Sequence, residues 1–163
     1  KLLAGEVGAE TLLRRRMADL PQGRWDYVLV DTPPTLGILA VNALVSADEI
    51  VVPVEAHVLP LNGLVQIMGT IDVVRERLNP ALSLSGILAC RVSHTRHARE
   101  VVDSLRERFG ARVFRTVIRE SIRLAECPSF GVPTTSYAAG SPGAEDYLAL
   151  ADEVMAQERS AST

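Results

Sequence analysis

An apolar run that stops at an aspartate constrains this chain more than any other feature. Residues Tyr27–Val30 are aromatic, β-branched or aliphatic, and Asp31-Thr-Pro-Pro34 follows directly. The run predicts a buried strand over 26–31, which the prolines end because they fix φ and remove a backbone donor. Open α/β sheets bind ligands at the carboxyl ends of their strands, so Asp31 suits Mg²⁺ held through water. The alternative is a strand followed by an ordinary polar turn.

Helical and strand patterns alternate along the rest of the chain. The alternation predicts an α/β fold with a doubly wound, mostly parallel sheet and helices on both faces. No internal repeat or long linker interrupts it, so we expect residues 1–163 to form one domain or a piece of one. Strands are expected at 26–31, 49–54, 84–91, 112–118 and 134–137, and helices at 8–20, 36–46, 61–78, 96–108, 121–126 and 142–157.

A series of short motifs extends from residue 25 to residue 156. In order they are Asp31-Thr-Pro-Pro-Thr-Leu-Gly37, Asn42-Ala-Leu44, Ala47-Asp48, Ile50-Val-Val-Pro-Val54, Leu61-Asn-Gly-Leu-Val-Gln66, Leu78-Asn-Pro80, Gly86-Ile-Leu88, Val117-Ile118, Ile122-Arg-Leu-Ala-Glu126, Pro128-Ser129, Gly131, Gly143-Ala-Glu145 and Tyr147-Leu148. Together they resemble the ParA/Soj type of partition ATPase, which has a deviant Walker motif. The resemblance implies a P-loop NTPase-like fold that uses ATP and Mg²⁺.

The phosphate-binding lysine of such a protein has no counterpart in these residues. Lys1 is the only lysine, so no Gly-Lys-Ser/Thr sequence can occur within the 163 residues. A P-loop needs that lysine to neutralise phosphates and the hydroxyl to hold magnesium. In ParA proteins this element precedes the matched region. We therefore expect the carboxyl-terminal part of a longer ATPase, with the P-loop strand missing, that alone neither hydrolyses ATP nor binds it tightly. The alternative is a degenerate relative that does not hydrolyse ATP.

The resemblance assigns the second switch to the segment after the first strand. Asp31, Thr32, Pro33 and Pro34 would sense the γ-phosphate, whereas the alternative is a rigid strand exit with no sensing role. Asn42 matches the family's Asn-Ala-Leu, in a helix that contributes to the nucleotide site. An asparagine in a helix can also cap a turn or face solvent.

The adenine side of the site is implied by the same resemblance. It points to the residues after strand 84–91 and to those from Ile118 onward, giving Arg91, Ile118, Arg119 and Glu120. The family's usual Pro-Arg-Asn-like stretch is here replaced by Arg119-Glu-Ser121.

Positive charge is concentrated between residues 91 and 123. This stretch contains nine arginines and four acidic residues, although the whole chain has a net charge of -3. Such a block on an acidic protein is typical of contact with a phosphate backbone, and the alternative is a solvated helix face. Members of the family bind DNA without sequence preference when they are dimeric and ATP-loaded. By that resemblance the candidate contacts are Arg123 and Arg119.

Composition and resemblance together define two classes of function. Hydrophobic residues make up 47% of the chain, and no apolar run approaches the roughly 20 residues of a membrane span. The first class is a cytoplasmic, nucleoid-associated ATPase that forms homodimers and has a ParB-like centromere-binding partner. The second is a non-catalytic interaction module without a P-loop. The terminal sequence Gln157-Glu-Arg-Ser-Ala-Ser-Thr163 lacks the basic amphipathic helix of a MinD-like membrane protein.

Overall fold

The computed structural model describes residues 8–21, 23–33, 35–56 and 61–161. Helices and strands alternate from residue 38 to residue 109, as the periodicity predicts. The α-helices and strands are α1 (Leu12–Ala18), α2 (Ile38–Ser46), β1 (Glu49–Glu55), α3 (Leu61–Arg77), β2 (Ser83–Cys90), α4 (Arg96–Phe109), α5 (Ile122–Phe130), α6 (Thr134–Tyr137) and α7 (Pro142–Ala161), with 3-10 turns at Ala9–Thr11 and Gly110–Arg112.

The two strands pair in parallel. At their beginning the Ser83 N–H donates to the Asp48 carbonyl at 2.9 Å, and at their end the Ala56 N–H donates to the Cys90 carbonyl at 3.0 Å. A parallel pair needs a crossover connection, which α3 supplies. The α/β class with a parallel sheet is thereby confirmed.

A third segment runs beside β2 without forming a regular strand. Parallel bridges join Ile87 to Val113 and Val92 to Arg119. The strand predicted at 112–118 is therefore present only as isolated bridges. The 3-10 turn Gly110–Arg112 occupies its expected start, and the carboxylate of Glu153 accepts the N–H groups of residues 115 and 116.

Contacts divide the chain into two compact units. The first is drawn from Lys1–Ile50 and Leu61–Leu84, and the second from Val51–Pro60 and Ser85–Thr163. Fully buried side chains of the first unit include Val45, Leu64 and Leu82. In the second unit Leu88, Phe114 and Ile118 form a buried cluster, against which Cys90, Leu124, Leu150 and Val154 pack.

The strand predicted at 26–31 is wrong. Residues 26–31 have no regular secondary structure, and Leu29 is 94% exposed. A strand needs a neighbour that takes its N–H and C=O groups, and no strand in the described part of the chain pairs with this segment. The apolar side chains of Tyr27 and Val28 are consequently about half exposed.

The strand predicted at 134–137 is also wrong. These residues form the short helix α6, which begins after Pro133 at φ −68°. The N–H groups of Ser136 and Tyr137 both donate to the Pro133 carbonyl at 2.9 Å. Local turn bonds of this kind, together with stacking of Tyr137 on Phe130 at 4.7 Å, favour a helical turn over an extended segment.

Candidate functional site

Asp31 and its neighbours lie on an exposed segment. Asp31, Thr32 and Pro33 are exposed and belong to no strand, so the predicted placement of Asp31 at a strand end is wrong. Pro34 lies outside the described residues. Within the described ranges, no group of three or more His, Cys, Asp or Glu side chains is arranged to hold a metal ion. The roles of these residues in a nucleotide switch stay predictions.

Asn42 is buried, and its side chain links α2 to the start of α1 through hydrogen bonds. Its amide donates to the carbonyls of Ala9 and Ile38 at 2.8 and 2.9 Å, and its Oδ1 accepts the N–H of Leu13 at 3.0 Å. Thr11, which precedes α1, makes no side-chain cap, so Asn42 supplies from α2 a partner that the first turn of α1 would otherwise lack. The solvent-facing alternative for Asn42 is wrong, since its exposure is only 6%.

Arg91 follows β2 in an unusual backbone conformation. Its φ is 51°, the only positive value at a non-glycine position among the described residues. Its guanidinium lies 3.3 Å from the carboxylate of Glu55, the last residue of β1, and 3.8 Å from that of Glu120. Non-glycine residues with positive φ are uncommon and concentrate at functional sites. The carboxyl edge of the strand pair thus holds a half-exposed cluster of three charges.

Arg119 is held by a buried aspartate on α7. The Asp146 carboxylate accepts the Arg119 backbone N–H at 2.9 Å and its guanidinium at 2.7 to 3.0 Å, and Asp146 is only 8% exposed. These bonds raise the pKa of Arg119 above its usual range. Planar pairing of this kind fixes the guanidinium in both position and orientation.

The structure brings three of the predicted adenine-side residues together and buries the side chain of the fourth. Arg91, Arg119 and Glu120 lie at the same edge, because the N–H of Glu120 donates to the Val92 carbonyl at 3.1 Å. The Ile118 side chain instead belongs to the buried cluster with Phe114. Sequence reasoning missed Asp146. Asp146 lies 27 residues from Arg119 in the sequence. The only indication of this pair in the sequence was the arginine at position 119, where the family has a Pro-Arg-Asn-like stretch.

The arginines of the basic stretch differ in how they are paired. Arg123 contacts the Glu126 carboxylate at 3.1 Å, an interaction that raises the pKa of Arg123. Arg96 and Arg115 also pair with carboxylates. The exposed side chains of Arg108 and Arg112, by contrast, make no ion pair or hydrogen bond with any residue that the structure describes. Their charges are therefore the least compensated of the stretch.

Comparison with known proteins identifies the family. A family model described as an AAA domain matches residues 1–84. The chain is 45% identical over 156 residues to a chromosome-partitioning ATPase Soj of Thermus thermophilus and 41% identical over 157 residues to a chromosome partitioning protein ParA of Myxococcus xanthus. The chain belongs to the ParA/Soj-type family. These matches cover 95% and 96% of the chain, but 61% and 55% of the two relatives.

A solved structure outside the named partition proteins shares the ParA/Soj-type fold. Cobyrinic acid a,c-diamide synthase from Mycobacterium smegmatis, crystallised with an ATP analog and magnesium, superimposes with a TM-score of 0.80 at 29% identity. The match covers 98% of this chain and 58% of the synthase. The same enzyme has also been crystallised with ADP and magnesium. No helix among the described residues of this ParA/Soj-type chain is both long and apolar enough to cross a membrane.

Proposed function

We propose that this chain is part of a ParA-like ATPase that segregates DNA by ATP-dependent dimerisation and sequence-independent DNA binding. The observation that carries the proposal is the match to ParA and Soj proteins over nearly the whole chain at 41% to 45% identity. The chain spans about three fifths of the curated relatives that it matches, so the activity belongs to the longer protein. A ParB-like centromere-binding protein would stimulate hydrolysis, and the dimer would act on the nucleoid in the cytoplasm.

We propose two sets of nucleotide contacts, one for the phosphates and one for the base. In the first, Asp31 would hold Mg²⁺ through water, next to a second switch of Thr32, Pro33 and Pro34, in the helical neighbourhood of Asn42. In the second, the base would lie near Arg91, Ile118, Arg119 and Glu120. Crystals of the related synthase with an ATP analog, ADP and magnesium support nucleotide and metal binding in this fold. Parallel sheets bind ligands at their carboxyl edge, where Arg91 lies.

The DNA contacts that we propose are ranked by how well each charge is already compensated. Arg119 and Arg123 are the DNA contacts that the family resemblance implies, but each lies within hydrogen-bond distance of a carboxylate. An arginine must leave such a partner before it can neutralise a phosphate. Arg108 and Arg112 face no such cost within the described structure, so we place them first among the phosphate contacts and Arg123 next.

A non-catalytic interaction module is the second candidate. It is favoured by one observation, namely that Lys1 is the only lysine and no Gly-Lys-Ser/Thr occurs in these residues. The genomic sequence upstream of the Lys1 codon separates the two candidates. A glycine-rich loop with Gly-Lys-Thr in the same reading frame supports the ATPase, and a start codon directly before Lys1 supports the module.

A binding assay with duplex DNA tests the proposed sequence-independent DNA binding. We expect two unrelated duplexes of equal length and different base composition to bind with affinities within about threefold, because backbone contacts carry no sequence information. Fluorescence anisotropy at low salt, with the full-length protein, ATP and Mg²⁺, measures both affinities. A strong preference for one duplex, or no binding to either, would contradict the proposal.

A further inference from the structure

We infer that Glu126, held in place by the Tyr137 hydroxyl, competes with the DNA backbone for Arg123 and so weakens DNA binding. Arg123 is a phosphate contact only in the proposed function, on which this inference therefore rests. Two neighbouring side chains of the protein itself would then set how readily that contact forms and breaks.

One carboxylate oxygen receives both hydrogen bonds of this group. The Arg123 guanidinium and the Tyr137 hydroxyl each donate to Oε2 of Glu126 at 3.1 Å. Arg123 and Glu126 lie three residues apart on α5, whereas Tyr137 comes from α6. The bond to Glu126 raises the pKa of Arg123, and the adjacent Tyr137 hydroxyl adds to this effect. A second element thus fixes the carboxylate where it pairs with the arginine.

Tyr137 is itself held in position. Its ring stacks on that of Phe130, the last residue of α5, with 4.7 Å between the ring centroids. Its backbone N–H donates to the Pro133 carbonyl at 2.9 Å. Exposed ion pairs contribute little partly because two long side chains lose entropy when they meet. Since Tyr137 already orders Glu126, less of that entropy remains to be lost when Arg123 pairs with it.

Arg123 can exchange partners more easily than Arg119. The side chains of Arg123 and Glu126 are 61% and 37% exposed, so a phosphate can approach the guanidinium. Arg119 is instead bonded through both its guanidinium and its backbone N–H to Asp146, whose side chain is only 11% exposed. Carboxylate and phosphate oxygens accept from the same guanidinium donors. Glu126 and the DNA backbone therefore compete for Arg123.

A double-mutant cycle on duplex DNA binding measures the competition. In the full-length protein with ATP and Mg²⁺, Glu126→Gln should raise the affinity at low salt. The gain should be about two- to fivefold larger than the gain in an Arg123→Ala background, which is the value of an exposed ion pair. In that background only the loss of a negative charge remains. Equal gains in the two backgrounds, or weaker binding by Glu126→Gln, would overturn the inference.

Glu107→Gln is the matched control for charge. It removes the same negative charge from α4, and the Glu107 carboxylate has no ion pair with any residue that the structure describes. Its effect on DNA affinity should be the same with and without Arg123. If the full-length protein and all its variants fail to bind DNA, the proposed function falls and this inference with it. DNA binding without coupling between Arg123 and Glu126 overturns the inference alone.

Tyr137→Phe tests the hydroxyl without changing any charge. The ring can still stack on Phe130, but the bond to Glu126 is lost. We expect a gain in DNA affinity in the same direction as for Glu126→Gln and smaller in size, because the carboxylate remains but is less ordered. An affinity equal to that of the original protein would overturn the role of Tyr137.

Arginine modification tests the ion pair without DNA. Phenylglyoxal reacts with guanidinium groups, and mass spectrometry gives its rate at each arginine. Arg123 should react about two- to fivefold faster in Glu126→Gln than in the original protein, because the carboxylate no longer holds its guanidinium. Arg108, which has no such partner in the described structure, should react at the same rate in both. An unchanged rate at Arg123 would overturn the inference whatever the DNA measurements show.

Discussion

The carboxylate of Glu153 shows how a single residue of α7 holds the irregular segment beside β2. It accepts the N–H groups of Arg115 and Thr116 at 2.9 Å each and the Thr116 hydroxyl at 2.7 Å. Burial alone would raise the pKa of Glu153, but these hydrogen bonds outweigh burial and lower it. Bonds to the ionised form favour that form, so the ionised carboxylate stabilises the fold.

Glu153→Gln should lower stability in a way that depends on pH. The folded pKa lies below the unfolded value of about 4.3, so the carboxylate contributes fully above that value and its contribution disappears as pH falls through the folded pKa. The amide can accept with one oxygen only, and we expect a loss of about 1 to 3 kcal/mol at pH 7. Urea unfolding at pH 7 and pH 3 measures the difference, which should shrink at the lower pH. A difference that does not change with pH would contradict this assignment.

Gly86 marks the closest approach of β2 to the core. A Cβ at this position would lie 2.7 Å from a ring carbon of Phe114, which is 1% exposed. Gly86→Ala should therefore destabilise the chain by about 1 to 3 kcal/mol through overpacking. Gly69→Ala is the matched control, since nothing lies within 4 Å of that position on α3 and alanine is the better helix former. Denaturation midpoints should shift in opposite directions for the two variants, and a shift in the same direction would refute the packing argument.

At the scale of elements, two buried asparagines close the ends of helices that the sequence leaves uncapped. Asn42 serves the start of α1, and Asn79 serves the end of α2. The Asn79 amide donates to the carbonyls of Leu44 and Ala47 at 3.0 and 2.7 Å. The last carbonyls of a helix have no partner within it, so an amide from another segment is a direct means of satisfying them.

Asn79→Asp isolates the donors of that cap. The substitution keeps the shape of the side chain but replaces the amide with a group that cannot donate when ionised, so the carbonyls of Leu44 and Ala47 would face a carboxylate. We expect a loss of about 1 to 3 kcal/mol or more in the free energy of unfolding. Thr70→Ala removes a hydroxyl bond to the Gln66 carbonyl on the surface of α3 and should change stability little. Equal effects of the two substitutions would contradict the capping role.

The elements that were predictable from sequence are those whose pattern is local. Helices α2, α3, α4 and α7 and both strands lie within a few residues of their predicted positions, because their apolar periodicity is internal to each segment. Segment 26–31 has the composition of a strand but no pairing strand among the described residues, and pairing cannot be read from composition. At the candidate site, the resemblance predicted that Arg91 and Glu120 lie near the end of β2, while their role in binding adenine stays a prediction. Asp146 was not, since its contact with Arg119 joins residues that only the fold brings together.

At the scale of the whole molecule, the exposed apolar segment has a consequence for solution behaviour. Tyr27, Val28 and Leu29 are 50%, 51% and 94% exposed. Exposed apolar segments of strand composition favour association with other chains. We expect the 163-residue chain to self-associate at micromolar concentrations, and Leu29→Lys to reduce that association. Sedimentation velocity over a range of concentrations measures both, and a compact monomer at every concentration would contradict the expectation.

The whole molecule has positive charge that its own carboxylates leave uncompensated, and we propose that this charge contacts DNA. Arg108 and Arg112 lie at the end of α4 and in the 3-10 turn that follows, within the stretch of highest positive charge. Binding to a phosphate backbone releases counterions, so the logarithm of the affinity falls linearly with the logarithm of salt concentration. The slope of this relation is proportional to the number of phosphates that the protein neutralises. A change in the slope after an arginine is substituted therefore shows that this arginine contacts a phosphate.

The salt dependence of duplex DNA binding is the most direct test. For the full-length protein loaded with ATP we predict an affinity that falls steeply with salt. The double variant Arg108→Ala/Arg112→Ala should bind more weakly at every salt concentration, with a slope reduced by about 2. Arg77→Ala, an exposed arginine of α3 with no ion pair among the described residues, should leave the slope unchanged. Duplex binding whose slope is the same in all three proteins, or no binding at low salt, would contradict the account.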